Sequence, residues 1–112
     1  MLLTVAETPA YIAQAAKLLT ASERRDVVLL VASDPKAGVV IPGTGGLRKV
    51  RIGIGQRGKR GGGRVIYWYH SDRFPAVLLW VLDKTAASDL TAEQTRKLKA
   101  LTRGLIDDFG GR

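Results

Sequence analysis

The sequence predicts a two-layer α+β domain: two N-terminal helices, a small curved antiparallel sheet, and a C-terminal helix on the sheet's apolar face. Three observations predict it. Two helix-initiating capping boxes stand at the head of apolar stripes, three consecutive runs carry strand-forming residues joined by short connections, and 112 residues with 46% hydrophobic content suffice for one modest core. A single domain over residues 1–112 follows.

Residues 2–6 (LLTVA) read as a short strand, after which Thr8 caps a helix with Pro9 in its first turn, where the missing amide hydrogen costs nothing. Ile12, Ala15, Ala16 and Leu19 fall on one face of that helix at spacings of three and four. Thr20 and Glu23 match a capping box, in which each side chain satisfies an otherwise unpaired amide. Val27, Leu30, Val31 and Ala32 supply the buried face of this second helix, which Asp34-Pro35 ends because the residue before proline is biased away from helical geometry. The two helices are expected to form a hairpin.

Beyond Lys36 the texture changes. Val39-Val40-Ile41 reads as a strand or a tucked extended segment, and residues 42–46 (PGTGG) as a turn. Residues 47–52 alternate with period two, and residues 64–69 and 76–82 follow as two further strands around a turn at 70–75, most simply an antiparallel meander. Thr91 and Gln94 form the second capping box, ahead of a helix whose stripe is Leu98, Leu101, Leu105 and Phe109, with Ile106 beside it. Gly104 weakens that helix and is expected to allow close approach to the sheet.

Charge narrows the function. Eighteen Lys and Arg against ten Asp and Glu leave a formal charge of +8, a field that attracts polyanions. No acidic residue lies between Asp34 and Asp72, whereas Lys36, Arg48, Lys49, Arg51, Arg57, Lys59, Arg60 and Arg64 all do. Glycines at 53, 55, 58 and 61–63 surround Arg57, Lys59 and Arg60, predicting a basic hairpin loop that gives phosphate access to backbone and cations alike. The competing reading is a solvated loop whose charge serves solubility or an acidic protein partner.

Other chemistries are excluded or weakened. With no cysteine there is no disulfide, thiolate or cysteine-zinc chemistry, and the single histidine, His70, excludes a multi-histidine metal centre. GTGGLRK fails as a nucleotide phosphate loop, because its lysine neither follows glycine nor precedes Ser or Thr. The N-terminus lacks a signal-peptide pattern, and no run reaches the roughly 18 to 20 apolar residues of a membrane span. A cytoplasmic location, with no membrane partner, is the expectation.

Cutting RNA without a metal requires a group that takes the 2′-hydroxyl proton, cations that stabilise the extra charge at phosphorus, and a donor for the departing 5′-oxygen. Lys49 and Arg51 are two apart on one strand and share a face, and Arg64 heads the next strand beside the basic loop. Lys84 lies just past the third strand, able to face the same cleft or simply to begin a turn. Tyr67 and Tyr69 share a face and, with Arg48, are candidate RNA-binding residues. Tyr11, Trp68 and Trp80 read as core or cleft residues, because both faces of residues 65–69 are apolar or aromatic. His70 reads as a general base or as a surface residue.

Three runs, residues 40–52 (VIPGTGGLRKVRI), 58–69 (GKRGGGRVIYWY) and 78–94 (LLWVLDKTAASDLTAEQ), together closely resemble the HigB branch of the RelE/ParE toxin superfamily. The resemblance spans nearly the whole chain. It implies a RelE-like fold and a type II toxin that enters the ribosomal A site of the 70S ribosome and cleaves translated messenger RNA without metal or cofactor. The implied antitoxin is HigA-like, with a helix-turn-helix domain through which alone the complex would reach operator DNA. The family's catalytic positions fall on Lys49, Arg51, Arg64 and Lys84. Thr85 follows Lys84 where the RelE branch has arginine, and no tyrosine follows Tyr69, which leaves the proton-transfer roles open. The scaffold also carries the ParE-type gyrase inhibitors and admits a non-cleaving RNA-binding relative.

Overall fold

The computed structural model describes residues 2–55, 62–83 and 91–110. They form, in order, β1 (Val5–Glu7), α1 (Pro9–Leu18), α2 (Ala21–Ser33), β2 (Val39–Val40), β3 (Leu47–Ile52), β4 (Gly63–Trp68), β5 (Ala76–Asp83) and α3 (Ala92–Gly110). The fold is α+β. The helix starts follow from their capping residues. The Thr8 hydroxyl accepts the Tyr11 amide at 3.2 Å and donates to the Leu78 carbonyl at 3.0 Å, so the cap also fastens α1 to β5. At the head of α2 the Thr20 amide donates to the Glu23 carboxylate at 2.8 Å and the Glu23 amide to the Thr20 hydroxyl at 3.1 Å. Thr91 and Gln94 make the same reciprocal pair, at 2.9 and 3.1 Å, ahead of α3.

The five strands lie in the order β1-β5-β4-β3-β2. From β2 to β5 every ladder is antiparallel, but β1 pairs parallel with β5, Val5 opposite Ala76. The sheet is therefore mixed, not antiparallel throughout. A three-residue strand whose partner lies some seventy positions away carries no local mark of pairing direction, and a parallel neighbour requires a long crossover, which the rest of the domain supplies. Between β4 and β5 the register slips at Ile66/Tyr67, leaving Leu79 as an extra residue in β5.

Both faces of the sheet are covered, giving layers on either side rather than two layers in all. On one face Tyr11 and Ala15 of α1 and Val27 and Val31 of α2 pack with Val65, Tyr67 and Leu78. On the other, Leu98 and Leu105 of α3 pack against Leu47, Ile66, Trp68 and Leu79. The ambiguous alternation of β4 is resolved by burial on both sides, as its doubly apolar pattern permits.

Two helical stripes are rotated from expectation. In α1 the buried residues are Tyr11 and Ala15, with Leu19 just beyond the helix, while Ile12 and Ala16 are exposed, because the Thr8 bonds to Leu78 set which side meets β5. In α3 the inward residue between Leu98 and Leu105 is Thr102, and Leu101 is 44% exposed. Ile106 and Phe109 have side chains outside the described residues. Gly104 faces open space, so it is not a point of close approach.

The inward position of Thr102 is explained by the GTGG turn. Gly43, Gly45 and Gly46 have φ of +74°, +73° and +111°, values that favour glycine, and they reverse the chain between β2 and β3. This places Thr44 fully buried beside Thr102 of α3, its hydroxyl donating to the Ile41 carbonyl, while the Thr102 hydroxyl donates to the Lys99 carbonyl of its own helix at 2.7 Å with the Thr44 carbonyl 3.4 Å away. The motif is a packed turn that joins the β2–β3 hairpin to α3.

Tyr11 yields a prediction about pH. Its hydroxyl is buried without a hydrogen-bond partner, and burial, with Glu7 nearby, pushes its pKa up to about 12 despite Arg24. The folded state then holds the proton more tightly than the unfolded chain, so this contribution is complete below the ordinary value of 10.0 and is lost as pH rises toward 12. Tyr11→Phe is expected to match or exceed wild-type stability at neutral pH and to flatten the alkaline fall, as read from urea midpoints between pH 8 and 11.5.

Candidate nucleic-acid interface

Strand register assembles the site. On the face shared with α3, three rows cross β3, β4 and β5: Leu47, Trp68 and Val77; then Lys49, Ile66 and Trp80; then Arg51, Arg64 and Leu82. The first row lies in the core with α3, whereas Arg51 is exposed and Lys49, Arg64 and Trp80 are half-buried. The face thus passes from apolar under the helix to cationic at its open end. Lys49, Arg51 and Arg64 come together on it, as the two-residue spacing and the strand order predict.

Arg51 and Arg64 are direct cross-strand partners. Like charges at such a position repel, at a cost of roughly 0.2–1 kcal/mol, so folding alone gives no reason for the pair. Among the described residues neither guanidinium takes part in a hydrogen bond or ion pair. Both border a groove of ≈ 550 Å³ whose apolar wall includes Leu30 of α2 and Val39 of β2. Arg51 also borders a second groove beside Glu23 and Asp26 of α2. Glu23 is already committed: one carboxylate oxygen completes the α2 capping box and the other accepts the Gly55 amide at 2.7 Å, tying the chain just after β3 to the start of α2. The capping box announced the first of these contacts; nothing local announced the second.

Four of the sequence-based candidates lie elsewhere. Arg48 is on the opposite face, where its guanidinium donates to the Gly38 carbonyl at 2.8 Å and sits 5.8 Å from the centre of the Tyr69 ring. Tyr67 is fully buried, with its hydroxyl donating to the Pro35 carbonyl and accepting the Gly38 amide, both at 2.8 Å. No base reaches that ring. Tyr69 is half-buried on the same side as Tyr67, and its hydroxyl donates to Asp72 at 2.6 Å, which with burial raises its pKa. Neither tyrosine shares the face of Arg64. His70 follows β4 at the end away from Arg64, six residues or about 20 Å along an extended chain, and packs its ring against Trp68 and Phe74.

Arg57, Lys59 and Arg60 lie outside the described residues, as does Lys84. Their chain neighbours do have positions: β3 ends at Ile52 opposite Gly63, and Gly63 is in turn opposite Asp83, the last residue of β5. Gly63 itself belongs to the sheet and not to a loop, because a Cβ there would overlap the Leu82 carbonyl.

Lys49, Arg51 and Arg64 can hold a phosphodiester and stabilise added negative charge on its oxygens, with Arg51 and Arg64 presenting planar, bidentate donors. Trp80, in the same row as Lys49, adds an aromatic surface that sequence alone left between core and cleft. No protein-family model matches the chain. No helix among the described residues is long and apolar enough to cross a membrane.

Proposed function

We propose that this protein is a ribosome-dependent messenger RNA endoribonuclease, the toxin of a type II toxin–antitoxin pair held inactive by a HigA-like antitoxin. The observation that carries the reading is the Arg51–Arg64 cross-strand pair with Lys49 on the same face, a clustering of cations that opposes folding and suits a scissile phosphate. The sequence resemblance over residues 40–52, 58–69 and 78–94 supplies the ribosome, the message and the antitoxin.

In this mechanism the ribosome positions the message and the 2′-oxygen attacks phosphorus as its proton is removed. The bond to the 5′-oxygen breaks, and that oxygen takes up a proton. A 2′,3′-cyclic phosphate and a 5′-hydroxyl result. Arg64, with Lys84, stabilises the charge that builds on the phosphoryl oxygens, and Lys49 or Arg51 assists proton transfer and phosphate binding.

Induction of the protein alone in bacterial cells is expected to halt incorporation of labelled amino acid, shorten messages and arrest growth, with rescue by a cognate antitoxin. Intact messages accompanied by a DNA-damage response would instead point to gyrase inhibition, and unaffected growth to a non-cleaving binding protein.

A further inference from the structure

Trp80 offers the strongest unassigned surface. It is half-buried at the edge of the core under α3, and it borders an apolar hollow of ≈ 350 Å³ with Gln94, Lys97 and Leu98 from the first turns of that helix. Tyr11, Tyr67 and Trp68 are each 0% exposed, whereas Trp80 joins Tyr69 and Phe74 among the half-buried rings, and of these it alone lies in a row with Lys49. The slip between β4 and β5 brings Trp80 opposite Ile66, and so into one row with Lys49.

Its neighbours suggest what the ring would meet. Arg64 is on the adjacent strand one row away, a diagonal position whose separation in an antiparallel pair is about 7–8 Å. That is within the reach of one nucleotide from phosphate to base. Gln94 has its carbonyl oxygen occupied by the Thr91 amide, which turns its NH₂ donors away from the helix start, and Lys97 adds a cation at the rim.

We infer that Trp80 and the hollow beside it form a nucleobase site, in which one base of a single-stranded RNA stacks on the indole while its phosphate rests on Arg51 and Arg64. This rests on the proposed action on RNA and extends it to a recognition element. Stacking on an aromatic side chain is tolerant of sequence, and the Gln94 donors favour bases with an acceptor on the exposed edge. Because Trp68 is buried, Trp80 is the tryptophan that a base can reach, and the Trp80 variants give the Trp68 background to subtract.

The test titrates the full-length protein with a short single-stranded 2′-O-methyl oligoribonucleotide, which cannot be cut, and in parallel with the same oligomer made abasic. The expected results are saturable quenching by the first, little by the second, and an affinity loss of about 5- to 150-fold for Trp80→Ala toward the base-bearing oligomer only. Trp80→Phe, which keeps a ring in the core, is expected to retain most of the affinity. Wild-type affinity in both Trp80 variants, with Arg64→Ala still weakened, would overturn the base site and leave the RNA reading standing. Failure of the wild-type protein to bind either oligomer would also overturn the base site, whereas the RNA reading stands or falls separately on message cleavage with ribosomes present.

Discussion

Arg64→Ala is expected to lower the rate of message cleavage by roughly 10²–10³-fold, the scale seen when one donor that stabilises developing charge is removed. The same substitution is expected to leave folding stability unchanged or to raise it by up to about 1 kcal/mol, since it relieves the repulsion with Arg51 across the ladder. Activity and stability moving in opposite directions is what separates a functional cation from a structural one. Arg51→Ala should show the same opposition. A loss of activity that tracks a lower melting temperature would mean that the arginines act by holding the sheet together.

The second large effect concerns Tyr67. Tyr67→Phe removes the hydroxyl that joins the Pro35 carbonyl to the Gly38 amide, leaving a buried donor and a half-buried acceptor unpaired at a cost of about 1–3 kcal/mol. Tyr67→Ala also empties a packed site between the sheet and the helix pair, for about 3–5 kcal/mol. Burial raises the Tyr67 pKa, the Gly38 bond and Arg48 opposing, so the hydroxyl stays protonated through the neutral range. Urea denaturation should therefore show a lower midpoint for Tyr67→Phe, with oligoribonucleotide affinity unchanged. A Tyr67→Phe protein of wild-type stability but weakened RNA binding would contradict the buried role.

Tyr67 also shows where reading from sequence stops. Period two correctly placed Tyr67 and Tyr69 on one face, and Lys49 and Arg51 on another strand's common face, because pleating is a local property. It contained no information on which face meets the helices. With apolar residues on both sides of β4, burial of both faces was the outcome, and a tyrosine that read as an RNA-binding candidate became a strut beneath the β2–β3 hairpin. Arg48 followed the same logic to the wrong side of the sheet for a shared site with Arg64.

Helix starts were legible because Thr8, Thr20–Glu23 and Thr91–Gln94 act within one turn of chain. Helix rotation was not. Thr102 faces inward instead of Leu101, against Thr44, 58 positions away, with its hydroxyl satisfied by Lys99 of its own helix, and α1 turns Tyr11 inward where Thr8 bonds to Leu78. The parallel β1–β5 pairing and the Glu23–Gly55 bond are likewise contacts between distant segments. The cationic cluster was the most readable part of the site, since it needed only two residues on one strand and the head of the next.

The proposed activity is cleavage of messages by this cationic face during translation. Its most direct test maps 5′ ends of a defined message in a translating extract, with ribosomes present or removed, using wild-type protein and Arg64→Ala. New 5′-hydroxyl ends at codon positions are expected with wild-type protein only when ribosomes translate, and strongly reduced ends with Arg64→Ala. Undamaged message under conditions where an established ribosome-dependent nuclease cuts it would rule this activity out.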